Sequence, residues 1–125
     1  SGQHVALDSL RDALFAQPVS VADLTRYYRL AQPESHRAIW DMTLFNLPHT
    51  KRVLANLSGG HDNLLILGAE HDLIIASSLV EMTARSYNTA ATIYPGMGHA
   101  LMLEAGWKKP AQDIIAWLNL SHPLI

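Results

Sequence analysis

The sequence predicts an α/β protein: helices first, then a small parallel sheet whose strands are joined through a helix. Three observations predict it. Up to about residue 57 the apolar residues recur at helical spacing. From residue 64 short strand-length apolar runs alternate with helical segments, the order of a right-handed parallel crossover. The composition, 49% apolar and 16% charged over 125 residues, is that of one domain with a real core.

The helical segment spans 1–57 and reads as three helices with a fourth element left open. In VALDSLRDALF, Val5, Leu7, Leu10, Leu14 and Phe15 give one buried face, and Gln17-Pro18 ends the helix. Ser20 with Asp23 three residues on resembles a capping box, and Leu24, Tyr27, Tyr28 and Ala31 form the face that follows. Gln32-Pro33 punctuates. A third helix is predicted over Glu34–Phe45, burying Ala38, Ile39, Met42 and Phe45, and Leu47-Pro48 ends it. Lys51 to Leu57 suits either a short helix or an extended lead-in.

The segment 58–125 opens on the loop Ser58-Gly59-Gly60. Leu64-Leu65-Ile66-Leu67, closed by Gly68, predicts a strand buried on both faces. Ser78 and Glu81 have capping-box spacing and predict a helix to about Tyr87, stopped by Asn88. Ala90–Tyr94 is the second strand. A last helix is predicted over Gly106–Leu120, with Pro110 tolerated in its first turn and Ile114, Ile115, Trp117 and Leu118 as its buried stripe. The two segments are expected to form one structural unit.

Charge and cysteine content narrow the function. Nine Lys+Arg against eleven Asp+Glu leave a net charge of −2, with no basic block for nucleic acid. The absence of cysteine excludes disulfides, thiolate metal sites and a cysteine nucleophile, and it fits a cytoplasmic protein. No apolar run reaches the length of a membrane span, and no signal peptide is read at the start. Ser1-Gly2 fits either natural sequence or the remainder of a removed tag. His49, His61, His71 and His99 match no zinc spacing, so neither a metal nor another cofactor is expected.

In open α/β sheets, ligands sit beyond the carboxyl ends of the strands. Two polar segments fall there: Gly68-Ala69-Glu70-His71-Asp72 and Pro95-Gly96-Met97-Gly98-His99. Parallel neighbouring strands would bring Asp72 and His99 to the same end, where a carboxylate can orient an imidazole and stabilise its protonated form. Asp72 can also simply cap the start of the following helix. Acid before histidine is the chain order of one serine-hydrolase class.

The stretches LLILGAEHDLI, YPGMGHALMLE and GWKKPAQDIIAWL resemble the C-terminal part of an α/β-hydrolase. QPESHRAIWDM is similar, more weakly, to the helical cap of esterase- or lipase-like members. The resemblance implies a partial α/β-hydrolase fold with a cap remnant over residues 8 to about 50. It implies Asp72 as catalytic acid and His99 as base, with Glu70 the alternative acid. Asp72 is preferred because Leu73-Ile74-Ile75 matches the apolar step that follows the family's acid.

The departure from the family is large. No G-x-S-x-G nucleophile elbow occurs anywhere in the sequence, and the oxyanion loop is missing too. Ser58 lacks the strand–turn–helix setting, and Ser77 and Ser78 read as helix-start residues. The expectation is an acid–histidine pair, vestigial or completed by a partner, in a chain inactive by itself. Two parallel strands with one crossover leave an apolar strand edge uncovered, so a homodimer is expected, or a chain supplying the N-terminal half of the fold. The alternative is a non-catalytic oligomeric module that binds a partner or a small apolar or ester ligand.

Overall fold

A computed structural model describes residues 2–31, 33, 35–41, 49–57 and 63–121. Its element order is α1 (Gly2–Leu14), α2 (Val21–Leu30), α3 (His36–Trp40), α4 (Thr50–Asn56), β1 (Ile66–Ala69), α5 (Ser77–Ser86), β2 (Ala91–Tyr94) and α6 (Lys108–Ser121). The architecture is mixed: mostly helix, with one two-stranded parallel sheet. Gln32, Glu34, Met42, Phe45, Leu47-Pro48, the Ser58-Gly59-Gly60 loop and His61 lie outside the described residues, as does the side chain of Val5.

The first two helices pack as a hairpin. Phe15 and Leu24 are buried together with Ala100, and Leu7, Leu10, Leu14 and Tyr27 close around them. Phe15 stacks on Tyr27 with ring centroids 6.0 Å apart. Ser20 caps α2 by accepting the Asp23 N–H at 3.0 Å. The reciprocal half differs from a capping box: Asp23 is too short to reach back to the backbone and instead accepts the Ser20 hydroxyl at 2.7 Å. Tyr28 and Ala31, expected on the buried face, are exposed.

The third helix is described over His36–Trp40, and its N-cap Ser35 accepts the Ala38 N–H on its hydroxyl. Ala38 and Ile39 are exposed, not buried. The open question at 51–57 resolves to a helix, α4, which buries none of its residues completely.

The sheet corrects the first strand. It runs Ile66–Ala69 rather than 64–67, so Gly68 lies inside the strand instead of closing it. Ile66 and Leu67 are half-buried, against the expectation of a strand covered on both sides. Leu67 lines an apolar groove and meets no packed layer there, and the register runs from Ile66 opposite Ala91 through Ala69 opposite Tyr94. Gly68 lies beneath α5, where an added Cβ would stand 2.8 Å from Ile93 Cδ1 and 3.0 Å from Val80 Cγ1. A Cβ here would have to push the Ile93 and Val80 side chains aside, so glycine eases the close approach of helix and strand.

Helix α5 begins two residues earlier than a cap at Ser78 predicts. Ala76 is its N-cap, with no side-chain capping bond, so Ser78 and Glu81 do not form a capping box. Glu81 faces Arg85 one turn on, at 3.9 Å. The helix stop at Asn88 has a clear geometry: φ is 56°, the Thr89 N–H reaches Ala84 O, and the Asn88 N–H reaches Arg85 O. That is a Schellman ending with asparagine in the left-handed position.

Helix α6 starts at Lys108, two residues later than expected, with Pro110 buried in its first turn. Trp117 is half-buried, but Ile114, Ile115 and Leu118 are exposed. The apolar stripe is real and largely uncovered. Among the described residues no helix is long and apolar enough to cross a membrane.

Candidate functional site

Backbone pairing continues past the strand ends and brings the two polar segments together. The Glu70 N–H donates to Tyr94 O at 3.0 Å, and the His71 N–H donates to Met97 O at 2.9 Å. Pro95 with Gly96 at φ 65° then turns the second chain, the residue pair a type II turn takes. After these two steps Asp72 and His99 stand side by side. His99 Nδ1 lies 2.9 Å from Asp72 Oδ2.

The Asp72 side chain is 8% exposed and the His99 side chain 34%. Asp72 Oδ1 accepts the N–H groups of Ile74 and Ile75, both at 2.8 Å. Burial pushes the Asp72 carboxyl up, but the Ile75 N–H, His99 and the Ile74 N–H together outweigh it and hold the pKa below the usual carboxylate value. An ionised carboxylate only accepts, so the proton between the pair belongs to His99 Nδ1. In the neutral ring the lone pair then falls on the other nitrogen, Nε2.

Asp72 does not cap the following helix, whose N-cap is Ala76; one oxygen pairs with His99 and the other caps a bend. The capped segment is the bend at 73–75, not α5 itself. Glu70 points elsewhere: its Oε2 accepts the Gly96 N–H at 2.8 Å and stands 3.6 Å from His71 Nε2. Met97 is buried beneath the histidine loop with Ala69 and Tyr94, whereas Met102 is exposed. Ser77 lies in the first turn of α5 and makes no side-chain capping bond there. No group of three or more His, Asp or Glu side chains among the described residues is placed to hold a metal.

Beside the loop lies an apolar groove of about 270 Å³, lined by Leu67, Leu101, Met102, Trp107, Pro110 and Ile114. It separates β1 from α6. The polar tie across to α6 is the Tyr94 hydroxyl, which donates to Asp113 Oδ2 at 3.0 Å. Burial, and then the bond to Asp113, push the Tyr94 pKa up to about 12.

Sequence reasoning missed Glu104. It is 1% exposed and takes backbone N–H bonds from both segments of the chain. Ala16 donates to Oε1 at 2.7 Å, Gly98 to Oε1 at 2.8 Å, and Gln17 to Oε2 at 3.1 Å. The one signal was a lone carboxylate directly after the apolar run Ala100-Leu101-Met102-Leu103. Gln17, read only as part of a helix stop, is a second contact: its Oε1 accepts the Gly106 N–H at 2.8 Å.

The chain is thus a helix-rich α/β protein with a hydrogen-bonded acid–histidine pair at the carboxyl end of a parallel sheet. No protein-family model matches the chain. Searches of curated proteins and of solved structures also find no match to it.

Proposed function

We propose that the chain is the acid–histidine part of an α/β-hydrolase-like serine ester hydrolase, with Asp72 orienting His99 as general base. The observation that carries this reading is the 2.9 Å Asp72–His99 pair at the carboxyl end of parallel strands, with Nε2 of His99 left to take a proton. The group it would serve is not in this chain, since no G-x-S-x-G turn occurs in the sequence. Alone the protein is therefore inactive. A cytoplasmic location fits the lack of cysteine.

The test is a panel of activated short-chain esters offered to the purified protein. The expected rate is no greater than that of an equal concentration of free imidazole. Sustained turnover abolished by His99→Ala would overturn the claim that the chain lacks its nucleophile. Fusing the chain behind a strand and a G-x-S-x-G turn should produce ester hydrolysis that His99→Ala removes. Failure of well-folded fusions to do so sinks the enzyme reading.

A second reading has its own observation. The groove beside β1 and the uncovered stripe Ile114, Ile115 and Leu118 suit an oligomeric or partner-binding module. A homodimer is the first form proposed, joining sheets or covering the stripe, and a chain supplying the missing strands is the other. Sedimentation at micromolar concentration should give a dimer. A well-folded monomer would count against it.

A further inference from the structure

The turn after α1 binds the histidine loop from both flanks. Glu104 accepts the N–H of Gly98, the residue immediately before His99, and on the same oxygen the N–H of Ala16. Its other oxygen accepts the Gln17 N–H. On the far side of His99, the Ala100 N–H donates to Leu14 O at 2.8 Å. The Gln17 side chain spans the loop's outer ends, donating from Nε2 to Gly96 O at 3.3 Å and accepting from Gly106. The fit is tight as well as bonded: a Cβ on Gly98 would lie 2.7 Å from Ala16 N and 2.9 Å from Leu14 O.

A buried carboxylate needs donors, and here it recruits them from two remote parts of the chain. The bonds to Gly98 and Ala100 bracket His99 on either side and fix the backbone that aims its ring at Asp72.

We propose that Glu104 and Gln17 are positioning residues: through them the Leu14–Gln17 turn sets the orientation of His99 toward Asp72. The helical arm is on this view part of the machinery of the histidine and not a detachable cover. The inference rests on the reading of His99 as a base, but its test needs no turnover.

The test uses the full chain and the two-bond ¹H–¹⁵N correlation of its imidazoles at neutral pH, which reads the tautomer of each histidine. His99, assigned by its loss in His99→Gln, is expected as the Nδ1–H tautomer. Glu104→Gln keeps the size of the side chain but turns one acceptor into a donor facing backbone N–H groups. It should shift His99 toward the mixture of tautomers of a free imidazole. Exchange of the Gly98 amide should quicken about tenfold. Gln17→Ala should move both readouts in the same direction by less.

A residue with only a structural role would lower the melting temperature and leave the tautomer of the folded molecules alone. Val80→Ala, under the other face of the sheet, is the control for general loosening and should leave His99 unchanged. A folded Glu104→Gln with the His99 tautomer of the parent overturns the proposal. So does a Val80→Ala that moves His99 equally. If Glu104→Gln fails to fold, Gln17→Ala decides, and an unchanged His99 there overturns the proposal too. Inactivity of a hydrolase fusion would refute the functional reading while leaving this result standing.

Discussion

The two faces of the small sheet are built in opposite ways. On one, α5 lies so close that a Cβ on Gly68 would crowd the side chains of Val80 and Ile93. On the other, α6 stands off across an apolar groove of about 270 Å³, held by the Tyr94–Asp113 bond and by contacts at its first turn. The helices have similar apolar content but different sequence partners. The α5 face is finished by residues adjacent in the chain, a glycine in the strand and a valine in the next helix. The α6 face lacks matching bulk, and its stripe of Ile114, Ile115 and Leu118 stays exposed. The same two strands thus carry one closely covered face and one open apolar face.

The contrast can be broken most sharply at Gly68. Gly68→Val is expected to destabilise the protein by about 3 kcal/mol, since branched bulk must displace α5. Urea unfolding measures it, and a cost well under 1 kcal/mol would mean that α5 is not closely seated.

Asp72 sits where both faces end. Asp72→Asn replaces a charge-assisted acceptor and should cost about 2 kcal/mol at neutral pH. The sign with pH follows from the lowered folded-state pKa. Stability from Asp72 is fully present above the ordinary carboxylate value near about 4 and is lost as pH falls through the lower folded value. The variant should show a flatter acid limb in pH-dependent unfolding. An equal limb in both proteins would remove Asp72 from the account.

On the open face the expected sign reverses. Ala111, which lines the groove, can be enlarged to leucine without meeting a packed neighbour. Ala111→Leu should stabilise by about 1 kcal/mol by covering apolar surface. Net destabilisation would show that the groove is narrower than its volume implies.

The smallest effect is expected at Tyr94. Tyr94→Phe deletes the bond to Asp113 and should cost about 0.5–1 kcal/mol. Its folded-state pKa of about 12 lies above the ordinary value for tyrosine. Stability from the protonated hydroxyl is therefore whole below pH about 10 and lost as pH rises through the folded value. Tyr94→Phe should abolish that alkaline loss, which thermal unfolding between the two limits can follow.

Much of this was legible from residues alone, because it depends on local rules. Helical spacing placed α1 and α2. Ser20 announced its cap and Asn88 its stop. The order of strand, acid, strand and histidine was enough to expect Asp72 beside His99, because parallel strands carry their following loops to one end. The choice between Asp72 and Glu70 became geometric only when the ladder ran on to His71 and left Glu70 bonded to Gly96.

Other features belong to tertiary structure. Strand β1 lies two residues further along than its apolar run, and Gly68 stands under a helix, a fact about distance between elements that hydropathy does not carry. Exposure of the α6 stripe depends on what stands opposite, and a sequence pattern reports only that a face is apolar. Glu104 is the clearest case. Its three donors come from Ala16, Gln17 and Gly98, two of them more than eighty residues away. The sequence by itself marked most of the helices, both strands in outline, and an acid and a histidine at one end of the sheet, while it left 51–57 open. Only the folded chain decided which buried carboxylate binds the helical arm to the histidine loop, because that bond joins backbone groups no local pattern marks.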